Sequence, residues 1–439
     1  MRQYTRSFVR KAIVLLLVLT IALIPAVTTS ADGDDGEKDE RRDRGEDQHK
    51  KLKDRTALDW IIAAPGLLIN LPFKILFKGT GTAIGYIDES KIIDRIDDFL
   101  TSDDGLRALR PTYSSRNGAG FKVYQKNLVG DGSKLQLSAS AGLRARQRYQ
   151  LSLERLGLFG ERVFSDLAIG YRFLPDESFY GIGPNTSKSD ESNFAHEQMY
   201  AQIGIGTSPF RMLDLVASLR IEQNDIREGR DTRSVSLTEL PLASSLPGLE
   251  RGVRMMGADV SVCFESRATP GGPGGWCRIV LQGAMYNQIE ESNYGFYSFK
   301  ADITQHLHLF YGRVLVLRVA GELVEPVKDR HVPFYYLSEI GRRETVRGFS
   351  RGRFRDFDMV LASLEYRYPI WKHHDDQLDA FLFVDAGQVA HDILEDSDWD
   401  DVRVGFGGGI RLWDTEGESI KVMLGKSKER YRFYLVLNK

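Results

Sequence analysis

From about Leu106 to the carboxyl end, apolar and polar residues alternate with a period of two. Leu135, Leu137, Ala139, Ala141 and Leu143 interleave with Gln136, Ser138, Ser140, Gly142 and Arg144. Leu213, Leu215, Ala217, Leu219 and Ile221 do the same against Asp214, Ser218, Arg220 and Glu222. Near the end, Val402, Val404, Phe406, Gly408, Ile410 and Leu412 alternate with Arg403, Gly405, Gly407, Gly409 and Arg411. A period of two puts one set on each face of a β-strand. Clusters of Gly, Asp, Asn and Pro separate the runs. Sixteen segments result, beginning near Leu106, Gly118, Lys134, Gln147, Arg162, Ala195, Leu213, Val253, Trp276, Tyr294, Arg313, Met359, Leu378, Val402, Ser419 and Arg430. The Asn117-Gly118 pair after the first favours a tight turn.

Alternation alone fits a soluble sandwich or a membrane barrel. The amino end argues for export. Arg2, Arg6, Arg10 and Lys11 precede the apolar run Ala12 to Ile24, then Pro25 and the small residues Thr29-Ser30-Ala31. This is the layout of a signal peptide over 1–31, and the run is short of the ~20 residues of a spanning helix. Residues 32–56 are almost wholly charged and read as a disordered linker. Over 57–105, Ile84, Ile87, Ile92, Ile93, Ile96, Phe99 and Leu100 recur at helical spacing, which predicts a short amphipathic helical periplasmic segment. Connections then alternate short and long, the long ones being Pro175 to Asn193, Asp225 to Glu250, Glu325 to Asp358 and Glu395 to Asp401. Outer-membrane barrels show that asymmetry, an even strand number and charged lumen faces. The predicted fold is all-β, a sixteen-stranded antiparallel transmembrane barrel over 106–439, in the bacterial outer membrane.

Composition narrows the function. Lys and Arg number 59 against 61 Asp and Glu, which excludes a generally basic nucleic-acid binder. A mean hydropathy of −0.30 excludes a bundle of membrane helices but not a barrel, whose two faces average out. Two cysteines exclude a disulfide scaffold. Cys263 and Cys277 flank the Pro270 to Gly275 turn and are candidates for a disulfide in an oxidising compartment. Strand parity puts Cys263 inward and Cys277 outward, so pairing needs a bulge or twist. No metal site or cofactor is expected. Asp396, Asp398, Asp400 and Asp401, and His373-His374-Asp375-Asp376, read as polar loops. Gly348-Phe349-Ser350-Arg351-Gly352 matches G-x-S-x-G, but that elbow needs a strand–turn–helix context which an all-β pattern lacks, so no enzyme is expected.

The longest predicted outer link contains Thr345-Val346-Arg347-Gly348-Phe349. The next strand reads Leu364-Glu365-Tyr366-Arg367-Tyr368-Pro369-Ile370, and the one after it Phe381-Leu382-Phe383-Val384-Asp385-Ala386-Gly387. In order and spacing, the three resemble the bacterial surface antigen superfamily of outer-membrane barrels, which holds the BamA- and TamA-type assembly factors and the two-partner secretion transporters. The resemblance implies an inserted extracellular loop whose arginine, here Arg347, reaches the inner wall. Parity turns Glu365 and Asp385 inward, so Arg347, Gly348, Phe349, Glu365, Asp385 and Gly387 form a candidate loop-to-barrel latch. Gly405, Gly407 and Gly409 are expected to leave lumen space for the loop. The implied partners are outer-membrane lipids, client outer-membrane or secreted polypeptides, and periplasmic accessory proteins. Two features depart from the family. Residues 32–105 lack the strand–helix–helix–strand–strand order of its polypeptide-transport-associated domains. The chain also ends Leu437-Asn438-Lys439 rather than on an aromatic residue. The first departure keeps a second reading open, a passive pore or structural surface antigen without clients.

Overall fold

The computed structural model describes residues 100–439 other than 115–116, 159–161, 250–251, 267–275, 374–375, 415–416 and 439. The predicted signal peptide, linker and all of the helical segment before residue 100 lie outside these residues. Seventeen strands share one sheet, and sixteen of them close a barrel. They are β1 Arg107–Ser114, β2 Gly118–Lys126, β3 Lys134–Ala141, β4 Gln147–Gly157, β5 Val163–Phe179, β6 Ser192–Phe210, β7 Leu213–Glu228 and β8 Val253–Glu265. The second half comprises β9 Trp276–Gln288, β10 Gly295–His308, β11 Val314–Pro326, β12 Asp358–His373, β13 Asp376–Ala390, β14 Arg403–Asp414, β15 Gly417–Ser427 and β16 Tyr431–Asn438. Every start falls within three residues of its predicted position. Among the described residues no helix reaches seven residues.

Each strand runs antiparallel to its chain neighbour, and β1 returns to β16. Closure leaves no sheet edge, so backbone polar groups are satisfied without water. Large apolar side chains face outward and stay exposed, among them Leu137, Ile169, Ile203, Leu219, Val260 and Val384. In water that surface would drive aggregation; in a bilayer it is the solvated face. The β12–β13 ladder skips Ile370, directly after Pro369, where the register shifts by one residue, as at a β-bulge.

The wall is uneven in height. β5, β6 and β7 have 17, 19 and 16 residues, whereas β1, β2 and β3 have 8, 9 and 8. A tilted strand needs only ~9–11 residues to cross, so the long strands project past the hydrocarbon. Their projecting ends supply Phe179, Phe194 and Ile226 to a core inside the barrel mouth, completed by Met255 of β8, Phe296 of β10, and Val332, Phe334 and Leu337 of the link between β11 and β12. That link, 327–357, folds inward. It carries a two-stranded hairpin of Ser338–Ile340 and Phe354–Asp356. By the rule that longer connections face outward, this is an extracellular loop inserted into the lumen.

Among the described residues β1 and β16 share three pairs, Thr112 with Asn438, Tyr113 with Leu437 and Ser114 with Val436. β1 and β2 share eight.

The candidate disulfide is not formed, and both thiols are free. The β8–β9 register explains why. Cys263 lies opposite Val280, while Cys277 exchanges hydrogen bonds with Ser266, its N–H donating to Ser266 Oγ at 2.7 Å. The two cysteines are three ladder positions apart and point to opposite faces.

Placing a charge on the outer face tests the assignment of faces. We expect Leu219→Arg to cost about 2–4 kcal/mol of folding free energy in lipid vesicles. Ser261→Arg, on the lumen face, should change it by less than about 1 kcal/mol. Denaturant titrations of both variants in vesicles measure the difference.

Candidate functional site

The inserted loop meets the wall at Arg347. Its Nε donates to Asp385 Oδ2 at 2.7 Å and its Nη2 to Asp385 Oδ1 at 2.7 Å, a two-point grip on one carboxylate. The Arg347 backbone N–H adds a third bond to Oδ2 at 3.0 Å. Nη1 donates to Glu365 Oε2 at 3.0 Å. The guanidinium plane stacks over the Phe383 ring, 3.5 Å from its centroid. Arg347 is 6% exposed, Glu365 6% and Asp385 0%. Charge-assisted bonds of this geometry are the strong ones, and an aromatic face adds to them when water is excluded.

Neighbouring strands complete the socket. Ser363 donates to Asp385 Oδ1 at 2.7 Å. Glu365 also accepts from Arg367 Nε at 2.7 Å and faces Lys421 Nζ at 3.9 Å. Gly348 donates its N–H to Tyr434 Oη at 3.0 Å, and its carbonyl accepts from Ser427 Oγ at 3.0 Å. Gly348 has φ +99°, and a Cβ there would sit 2.6 Å from the Lys426 carbonyl carbon. Only glycine allows both the backbone turn and the approach to β15. Val346, Phe349 and Phe354 pack with Ile340, Leu361 and Val389 in a buried cluster on the lumen side.

The predicted glycines divide. A side chain at Gly405 would overlap the Arg347 carbonyl oxygen, and one at Gly387 would lie 2.9 Å from Val346 Cγ2; both front the loop. Gly407 and Gly409 do not. Side chains there would overlap the carbonyls of Leu424 and Val422 on β15, so these two let adjacent strands approach closely. Parity puts all of them on one face but says nothing of what that face meets.

A second tier of charge surrounds the loop. Glu339 bonds Arg355 at 2.8 Å and Arg342 at 3.0 Å, with Arg351 at 3.8 Å. Arg353 Nε bonds Glu429 at 2.8 Å, and its other nitrogens reach Thr186 in the β5–β6 link. Burial alone would raise the Glu339 pKa, but Arg342, Arg355 and Arg351 overcome it and hold the carboxyl well below its usual range. Ser350, the serine of the G-x-S-x-G match, is 3% exposed and accepts from Arg432 Nη2 at 2.6 Å. It lies in a loop hairpin rather than a strand–turn–helix. Among the described residues no group of three or more His, Cys, Asp or Glu is placed to hold a metal.

Sequence reasoning missed Ser363, Phe383, Ser427 and Tyr434. The first two were within reach, being two positions from Glu365 and Asp385 on the same inward faces. Ser427 and Tyr434 carry no local signal, because their partner lies 79 and 86 residues away.

Residues 127–416 match the Omp85 superfamily domain. The chain belongs to the Omp85 superfamily. Its barrel is similar to that of a BamA from Haemophilus ducreyi lacking POTRA domains 1–3, over 76% of this chain and 70% of that one, at 17% identity and a TM-score of 0.52. It is also similar to CdiB from Escherichia coli, over 75% of this chain and 62% of that one, at 8% identity and a TM-score of 0.53. The chain thus spans less than two thirds of the CdiB chain. At these identities the likeness is one of fold. No curated protein matches the sequence.

Two outcomes follow for this Omp85 barrel. Arg347→Ala should cost about 3–5 kcal/mol, because it strands a buried carboxylate, and the loss should appear as a lower unfolding midpoint in vesicles. Acid should loosen the outer tier. A carboxyl held below its usual value contributes stability that is present above that value and lost as pH falls beneath it. Loop cleavage by a protease should therefore accelerate below about pH 4.5, the usual Glu value. Glu339→Gln should flatten that dependence.

Proposed function

We propose that this Omp85 outer-membrane barrel inserts or translocates polypeptides, opening between β1 and β16 while the Arg347 latch holds the loop in place. On this reading residues 1–31 direct export and residues 57–105 face the periplasm. The observation that carries the reading is the seam of three described pairs in a wall whose β1–β2 ladder has eight. A sheet opens where the fewest ladder bonds must break. The last strand is steadied on its lumen side by two loop contacts, Tyr434 with Gly348 and Arg432 with Ser350. The β1–β2 hairpin is then the side that swings.

The passive-pore reading is less favoured, because the loop and its aromatic core occupy the barrel mouth. Omp85 barrels are transporters or assembly factors rather than enzymes.

A lock on the seam separates the two readings. In a chain carrying Cys263→Ser and Cys277→Ser, Tyr113→Cys with Leu437→Cys would cross-link a facing pair. Cells relying on the oxidised form should lose a subset of outer-membrane proteins, and reductant should restore them. An unchanged outer-membrane proteome under verified cross-linking would refute the insertion role and leave the passive barrel.

A further inference from the structure

A cavity of about 290 Å³ lies against the seam, walled by β1 to β4, β16 and the inserted loop. Its charged residues are Lys122, Arg148 and Arg343, and no Asp or Glu is among the described residues lining it. Arg343 is partly committed, since Nε donates to Glu344 at 2.9 Å. Arg148 makes a long bond of 3.4 Å to Gln150.

The ladder brings these groups onto one patch of lumen wall. Lys122, Ser138 and Gln150 form one row across β2, β3 and β4, and Gly120, Ser140 and Arg148 form the adjacent row. Clustered cations with no carboxylate between them repel one another, and an anion relieves the repulsion. Hydroxyl and amide donors beside them suit an oxyanion with several acceptor oxygens. The space far exceeds the ~10–15 Å³ that holds one water, so a bare ion would leave most of it unfilled.

The cavity also touches five of the six residues in the described seam pairs, namely Thr112, Tyr113, Ser114, Val436 and Leu437. Tyr113 and Phe121, whose side chains face the bilayer, contribute to its wall. Here the barrel is lowest, with strands of 8 and 9 residues, and one strand's thickness separates the cations from lipid. We propose that this cavity binds the phosphate group of a lipid headgroup that reaches it from the bilayer at the seam. The site stands whether or not the barrel handles polypeptides.

The test uses the purified full-length chain in nonionic detergent. Short-chain phosphatidic acid, the matching phosphatidylcholine, inorganic phosphate and an acidic peptide are titrated separately by isothermal calorimetry. Phosphatidic acid should saturate one site and bind at least about tenfold tighter than the other three, one charge-assisted contact being worth about a factor of ten. Lys122→Gln with Arg148→Gln should weaken it about a hundredfold by the same measure. Lys122→Arg with Arg148→Lys should retain binding, and heat-modifiable migration reports that each variant is folded. If the double glutamine variant does not fold, Arg148→Gln alone should still cost about tenfold. A folded glutamine variant that binds phosphatidic acid like the wild type overturns the site. Equal binding of phosphatidylcholine overturns the phosphate assignment. Inorganic phosphate or the acidic peptide matching phosphatidic acid overturns the lipid source.

Discussion

The structure turns on the two-point grip of Arg347 on Asp385. Neither ion is tolerable alone at that depth, since each would sit buried without a partner at a cost of several kcal/mol. The loop therefore cannot dock without β13 in register, and β13 cannot bury Asp385 without the loop. The pair's value lies less in net stability than in selecting one placement. A carboxylate approached by two guanidinium nitrogens and a backbone N–H admits a single orientation of the loop tip. With the tip fixed, Val346 and Phe349 fall into the apolar cluster against Leu361 and Val389, and Gly348 falls between β15 and β16.

Uneven strand length explains where the rest of the loop goes. The projecting ends of β5 to β7 offer Phe179, Phe194 and Ile226, and the loop answers with Phe334 and Leu337. A barrel of uniform height would leave those aromatics facing water. The wall of β1 to β3 is too short to build such a core. Its lumen face is small and polar instead, with Gly120, Ser138 and Ser140 where the tall side has phenylalanine. Space and clustered positive charge remain there. One asymmetry thus yields both the plugged side and the open one.

Much of the barrel was legible because a period of two survives any local irregularity. A face is set by parity, so Glu365 and Asp385 were readable as inward from their apolar neighbours Leu364, Tyr366, Val384 and Ala386. Parity does not say what an inward residue meets. It grouped Gly405 with Gly407 and Gly409, although the first fronts the loop and the others front a neighbouring strand. It also treats Phe296 as a strand residue like any other and leaves Phe179 in a predicted link. Their burial depends on the height of the wall and on a loop segment distant in sequence. The β5 and β6 ends were read as loop for the same reason: Pro175 and Asp176 look like turn residues, yet ladder pairs resume at Glu177 after a register shift.

The latch and the seam are connected through a single peptide. Arg347 is tied to β12 and β13, and the next residue, Gly348, is tied to β15 and β16. The loop tip therefore spans the sector that ends in the last strand, and Tyr434 inherits the rigidity of the buried ion pair. β1 is bonded along its length to β2 and to β16 through three described pairs. In the closing region the loop's hydrogen bonds fall on β16, through Tyr434 and Arg432. The cationic cavity lies against the residues whose pairing closes the barrel. A ligand seated there would touch both strands of the seam, so the free energy of its binding and that of closure are linked by geometry alone.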